Sequence, residues 1–213
     1  MQTTSVEARW FAHGELPSDV ERWFRAGEPI DWSRVPSRTD SYIVLPGVDD
    51  LGIKVREGNF EVKGRRSAFG LVELKPRAHG LVETWIKWSY GREHAGSLID
   101  LATTRSASSS LRVDVEKRRL QRWYRFARDG SPIALDRAPR RDENLDRAGF
   151  LELSRLAVDG APSWSIAFEV FPDDSLIFEA FTKLASQALE GFPGALEGDR
   201  SRSYPAWLGA LRR

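Results

Sequence analysis

The sequence predicts an α+β fold, mainly β: a closed antiparallel β-barrel, or tunnel, of about eight strands with helices packed outside. Three observations carry that expectation. Charged side chains recur at every second position in residues 53–56, 60–65, 83–87 and 115–119, the period of a strand whose side chains alternate between faces. Turn dipeptides punctuate the runs: Pro46-Gly47, Glu57-Gly58 and Asp159-Gly160, the last a strong hairpin signal. Helical patterning is sparse, so the helices must cover a β core and cannot build one of their own.

Residues 6–11 alternate and predict a strand with Glu7, Arg9 and Phe11 on one face. Leu16-Pro17-Ser18-Asp19 reads as a helix start, with Ser18 as cap and Glu21 at the capping-box distance; Gly27 stops that helix. Residues 41–45 predict a strand. Residues 51–56 and 59–65 predict a hairpin across Glu57-Gly58, 68–75 a further strand, and 81–90 a strand with three aromatics. A short helix is expected over 92–100 and a Ser-rich loop over 105–110. Residues 111–126 predict one long strand, and the charged, proline-containing 128–146 an exposed connection. A second hairpin is expected over 150–158 and 163–171. Residues 175–189 are amphipathic at the helical period, and the aromatic tail 204–211 is expected to dock.

The chain has 213 residues and is read as one domain over 1–213, with a barrel core over about 6–189 and a tail over 190–213. Aromatics make up 11% and Trp alone counts 8, a composition that excludes a disordered tail. Lys and Arg number 32 against 31 Asp and Glu, so any basic site is local. A nucleic-acid partner is therefore disfavoured. There is no Cys, which excludes disulfides and thiolate metal sites and leaves the redox compartment open. No secretory signal and no apolar run near the ~18 residues of a membrane span are seen. A cytoplasmic protein with no membrane partner is the default expectation, with oligomeric state unspecified.

Period 2 places Lys54 with Arg56, Lys63 with Arg65, and Lys117 with Arg119 on shared faces. The opposite faces of the first two runs are apolar. If those apolar faces form the outer packing layer, the cations line an interior that suits a compact polyanion. Lys supplies point charge, and Arg grips phosphate oxygens in a bidentate fork. The competing reading is a solvated sheet face crossed by salt bridges.

The order of motifs resembles the CYTH-type proteins, also called triphosphate tunnel metalloenzymes. Arg38-Thr39-Asp40-Ser41-Tyr42 is similar to the family's Gln/Arg-x-Asp-x-Tyr strand, and Gly52-Ile53-Lys54-Val55-Arg56 to its Leu-Arg-x-Arg strand. Phe60-Glu61-Val62-Lys63-Gly64 resembles its Lys-Gly strand, and Val115-Glu116-Lys117-Arg118-Arg119 its Lys-x-Arg strand. Leu151-Glu152-Leu153 and Ala167-Phe168-Glu169 resemble its closing acidic hairpin. The resemblance implies a tunnel that binds triphosphate, polyphosphate or nucleotide through Arg9, Lys54, Arg56, Lys63, Arg65, Lys87, Lys117 and Arg119. It implies Mg²⁺ or Mn²⁺ on Glu7, Glu152 and Glu169, with Glu7 and Glu169 as catalytic groups of a triphosphate hydrolase. Glu83 is a further ligand or a salt-bridge partner of Lys87.

The chain departs from the family where the metal acids belong. Its opening strand offers Glu7, Arg9 and Phe11 where the family has two acids and a Lys. Its closing strand has Glu169 flanked in phase by Ala167 and Phe171. These departures keep a second reading open beside hydrolysis, a non-catalytic phosphate-ligand module that has lost metal ligands, and the many aromatics permit a third, a small apolar-ligand barrel or interaction scaffold. For the three acids, ion pairing with neighbouring cations is the competing role. His13, His79 and His94 fall at loops or ends. Trp10, Trp85, Trp88, Trp123 and Trp164 read as core packing rather than nucleobase stacking. Ser108-Ser109-Ser110 lacks the partners of a nucleophile, and no Gly-rich phosphate loop is present.

Overall fold

The computed structural model describes residues 2–103, 111–140, 143, 145–172 and 174–212. The expected Ser-rich loop, with Ser108, Ser109 and Ser110, lies outside them. The strands are β1 (Gln2–His13), β2 (Ser37–Ile43), β3 (Leu51–Arg56), β4 (Asn59–Lys75), β5 (Ala78–Tyr90), β6 (Arg112–Phe126), β7 (Pro132–Leu135), β8 (Ala148–Val158) and β9 (Ala161–Phe171). The helices are α1 (Ser18–Phe24), α2 (Arg92–Thr103), α3 (Ile177–Ala188) and α4 (Tyr204–Ala210). Sheet order is β2-β3-β4-β5-β1-β9-β8-β6, and pairing of β2 with β6 closes the ring. Eight antiparallel strands thus form the expected barrel. Closure leaves no free edge within the ring.

The alternating pattern becomes two concentric surfaces. The even residues Val6, Ala8 and Trp10 of β1 point outward and join Leu151, Leu153, Phe168, Phe181 and Leu184 in the main hydrophobic layer. α3 covers this layer with Phe181 and Leu184, both fully buried. It approaches so closely that a Cβ at Gly149 would stand 3.0 Å from Leu184. α2 packs Ala95 and Ile99 on Val55 in a smaller outer cluster.

Both predicted hairpins form. Asp159 and Gly160 take φ of 50° and 78°, the left-handed pair that a two-residue turn between twisted strands requires. Several details differ from expectation. Ser18 is the first helical residue and not the cap; Pro17 holds that position without a side-chain cap. The Glu21 carboxylate accepts instead from the Trp32 indole and Arg155. Residues 68–75 are not a separate strand but the bent continuation of β4, whose register shifts between Arg65 and Ser67 and again between Ala68 and Gly70. The connection after β6 contains β7, which pairs along residues 123–126 of that strand.

The tail does dock, at an end of the barrel. Trp207 stacks on Phe11 at 4.3 Å and 6°, and Tyr204 on Tyr42 at 5.3 Å and 13°. This second cluster closes the barrel end with Val113, Val115 and Leu208. No helix is long and apolar enough to cross a membrane among the described residues.

Phe181 anchors the outer layer edge-to-face on Phe168. Phe181→Ala is expected to cost about 3–5 kcal/mol, read as a lower urea midpoint with an unchanged slope.

Candidate functional site: a charged barrel interior

Inward side chains of the eight strands, with residues of the 139–145 connection and the 202–205 tail, line a cavity of about 560 Å³, within the range of small-ligand sites. Among the described residues its lining carries ten Lys or Arg and six Glu. Arg9, Lys54, Arg56, Lys63, Lys87, Lys117, Arg119, Glu7, Glu152 and Glu169 all face it, as the period-2 reading requires. Arg65 shares their phase but does not line the cavity. Its guanidinium is drawn to Glu83 at 2.8 Å and Asp49 at 3.4 Å, beside the β4 bulge.

One network centres on Glu152, 2% exposed on β8. Its Oε1 accepts from Arg9 Nη1 at 2.9 Å, Lys117 Nζ at 3.1 Å and Ser154 Oγ at 3.1 Å. Its Oε2 accepts from Gln121 Nε2 at 3.2 Å and Arg119 Nη1 at 3.4 Å. Burial would raise this carboxyl's pKa, but Lys117, Arg9 and Arg119 hold it well below the ordinary value. Lys117, 5% exposed, feels the reverse balance. Burial, with repulsion from Arg9 and Arg119, outweighs Glu152 and brings its pKa down to about 8.

A second network sits on β2 to β4. Asp40, 1% exposed, accepts from Arg38 Nε at 3.0 Å and Lys54 Nζ at 2.9 Å. Lys54 also pairs with Glu61 at 3.4 Å and lies 5.5 Å from the Tyr42 ring centroid. Burial would raise the Asp40 and Glu61 carboxyls; Lys54, with Arg38 at Asp40 and Arg56 at Glu61, lowers both.

A third group is a row of acids. Antiparallel register places Glu7 directly opposite Glu83 on one side and Glu169 on the other. Lys63 Nζ reaches Glu7 Oε2 at 2.6 Å. Glu83 accepts from Arg65 and, at 3.2 Å, from the Trp85 indole. Burial raises the Glu83 carboxyl despite Arg65, whereas Lys63 and Lys87 overcome burial at Glu169 and lower it.

The two ends of the interior differ. Tyr204 closes one, its hydroxyl 2.9 Å from Lys117 Nζ and its ring 5.0 Å from the Arg9 guanidinium. Burial pushes that phenol up to about 12, so it stays a neutral hydrogen-bonding group. At the other end Trp123 lies against Phe150 at 4.8 Å and Phe171 at 6.2 Å.

Two of the five tryptophans assigned to core packing therefore face the cavity, Trp85 and Trp123. Trp10 and Trp164 do pack in the outer layer, and Trp88 lies half-buried over Gly64. None of His13, His79 and His94 lines the cavity. Arg38, Glu61, Gln121, Trp123, Phe150 and Tyr204 line it beyond the expected set. Arg38 stands in phase with Asp40 and Tyr42, and Trp123 in phase with Lys117 and Arg119, a signal present in the strand period. Tyr204 carries no such signal.

Two of the three acids that the resemblance assigns to a divalent ion, Glu152 and Glu7, are already bonded to the chain's own cations, and Glu169 feels Lys63 and Lys87 at longer range. Both Glu152 oxygens accept from cations, and Glu7 Oε2 holds Lys63. Among the described residues no three His, Asp or Glu side chains are grouped to hold a metal. Glu152 and Glu7 therefore offer few free oxygens to a hard ion, which needs several. The barrel interior suits an elongated anionic ligand that meets cations along its length.

No protein-family model and no curated protein matches the chain. Among solved structures, the PH1819 protein from Pyrococcus horikoshii OT3 is similar at 16% identity and a TM-score of 0.40, over 98% of this chain and 99% of that one. That likeness assigns no residue and no activity.

Linkage fixes how Glu152 responds to acid. Its folded pKa is depressed, so its stabilisation is present above the ordinary value near 4.5 and is lost as pH falls through the lower folded value. Glu152→Gln leaves Lys117 and Arg9 without their counter-charge and is expected to cost about 3–5 kcal/mol at neutral pH. Its denaturant midpoint should also fall less steeply below about pH 4 than that of the unaltered chain.

Proposed function

We propose that this chain is a CYTH-like tunnel protein that binds a polyphosphate-type anion, such as triphosphate, inside the barrel without hydrolysing it. The observation that supports this most is the surplus of cations in one cavity: among the described residues ten Lys or Arg line it against six Glu, with buried Asp40 a seventh acid behind Arg38 and Lys54. A chain of phosphates carries closely spaced negative charge and many acceptor oxygens. Cations on opposite walls, Lys87 on β5 and Lys117 on β6 among them, can meet successive phosphates at once. Charge-assisted bonds of this kind are about twice as strong as neutral ones, and low-dielectric walls strengthen them further. A neutral apolar ligand would leave the same cations uncompensated, which disfavours the apolar-ligand reading.

Binding without turnover follows from the acids' engagement. Glu152 balances Arg9, Lys117 and Arg119, and Glu7 balances Lys63. Their role in this reading is to keep the empty cavity from holding bare buried charge. An arriving polyanion takes over part of that role.

Tripolyphosphate is expected to raise the melting temperature, by the equivalent of about 2.7 kcal/mol at a hundredfold excess over Kd, with no phosphate released. Lys117→Ala combined with Arg119→Ala should remove the shift. An unchanged melting temperature at millimolar ligand refutes the reading; phosphate release restores the hydrolytic one.

Affinity should also depend on pH. Lys117 is charged below about 8 and loses its charge above it, so calorimetric affinity is expected to fall as pH rises through that value. Lys117→Arg, which stays charged, should flatten the profile.

A further inference from the structure

We propose that the Lys63 ammonium is a built-in cation standing where a divalent ion would otherwise sit, so that the cavity takes up its anion without metal. The anion-uptake half of this statement rests on the preceding reading; the role of Lys63 does not.

The first observation is the register. Glu83, Glu7 and Glu169 lie directly opposite one another on β5, β1 and β9 and all face the cavity. Like charges opposed across strands destabilise a sheet, and enclosed carboxylates need a counter-charge. Arg65 and the Trp85 indole engage Glu83. Glu7 and Glu169 remain, facing each other with two ammoniums nearby: Lys63, bonded to Glu7 and the stronger influence on Glu169, and Lys87.

The second observation is how firmly the Lys63 ammonium is placed. Lys63 stands on β4, where its backbone register partner is Lys87 on β5. Its Nζ lies 5.9 Å from the Trp85 ring centroid and 2.6 Å from Glu7 Oε2. Trp85 is 1% exposed, and its indole N–H is tied to Glu83 at 3.2 Å. The ring that seats the ammonium is therefore itself fixed. Burial opposes the Lys63 charge, but Glu7 and then Glu169 outweigh it and raise the pKa above the ordinary lysine value. Lys63 thus remains cationic at neutral pH.

An ammonium and a divalent ion answer the same need differently. The ammonium donates three hydrogen bonds and adds one charge. A Mg²⁺ or Mn²⁺ ion demands several oxygens in a fixed geometry. With Glu83 engaged by Arg65 and Trp85, two carboxylates of the row are left to such an ion, Glu7 and Glu169. Lys87 and Arg9 add positive potential that repels a second cation. With the Lys63 charge removed, Glu7 loses its bonded ammonium and Glu169 keeps the weaker influence of Lys87, so a hard divalent ion becomes the better counter-charge for the facing pair.

The test uses the full chain and two probes, Mn²⁺ and tripolyphosphate. Lys63→Met keeps the aliphatic stem over Trp85 and removes only the charge. In calorimetry or Mn²⁺ electron paramagnetic resonance, Lys63→Met should bind Mn²⁺ at least about tenfold more tightly than the unaltered chain. Adding Glu7→Gln to Lys63→Met should abolish the gain. In the unaltered chain, the thermal shift with tripolyphosphate should be equal in EDTA and in Mn²⁺. Lys63→Gln serves as a second variant if Lys63→Met does not fold. The role of Lys63 is overturned if the unaltered chain binds Mn²⁺ as tightly as the variants, or if a gain survives Glu7→Gln. A tripolyphosphate shift that EDTA removes overturns metal-free uptake. No tripolyphosphate shift in either buffer defeats the anion reading, while an Mn²⁺ gain in Lys63→Met still supports the built-in cation.

Discussion

The cost of enclosing charge governs this molecule. A barrel of eight strands has an inside, and every second residue of each strand must go there. Where those residues are Lys and Arg, the interior cannot be left as bare positive charge, since desolvation costs several kcal/mol per ion. Glu152 is the clearest answer to that constraint. One carboxylate, fully surrounded, accepts from Arg9, Lys117 and Arg119 contributed by two other strands. Asp40 does the same for Arg38 and Lys54, and Glu7 for Lys63.

The outer layer makes this arrangement affordable. The interior is polar, so the hydrophobic stabilisation comes from the opposite faces of the same strands, covered by α1, α2 and α3. A strand such as β1 holds Val6, Ala8 and Trp10 in one core while presenting Glu7 and Arg9 to another environment. A slip of one residue in its pairing would exchange the two sets. Register is therefore specified twice, by apolar burial outside and by charge pairing inside.

The ends of the barrel complete the site in different ways. At one, Tyr204 and Trp207 stack on Tyr42 and Phe11, and the Tyr204 hydroxyl meets Lys117. At the other, Trp123, Phe150 and Phe171 form an aromatic rim. Between them lies a charged interior with an excess of cations, whose carboxylates are committed to balancing those cations.

Strand period alone determined which residues share a face, and hence that Lys54 with Arg56, or Lys117 with Arg119, would stand together. The turn dipeptides determined the two hairpins, because Glu57-Gly58 and Asp159-Gly160 accept the positive φ of tight turns. Local patterning does not say which strands become neighbours. Only the closed ring placed Glu7 between Glu83 and Glu169, and Arg9 beside Glu152, which lies 143 residues away in the chain. The paths of Arg65 and Tyr204 were likewise tertiary matters. Next to the β4 bulge, Arg65 pairs with Asp49 and Glu83, and docking of a distant tail carried Tyr204 to the barrel end. The physical reason is range: alternation is set by the backbone within a few residues, whereas a charge's partner is set by whichever strand closure brings opposite it.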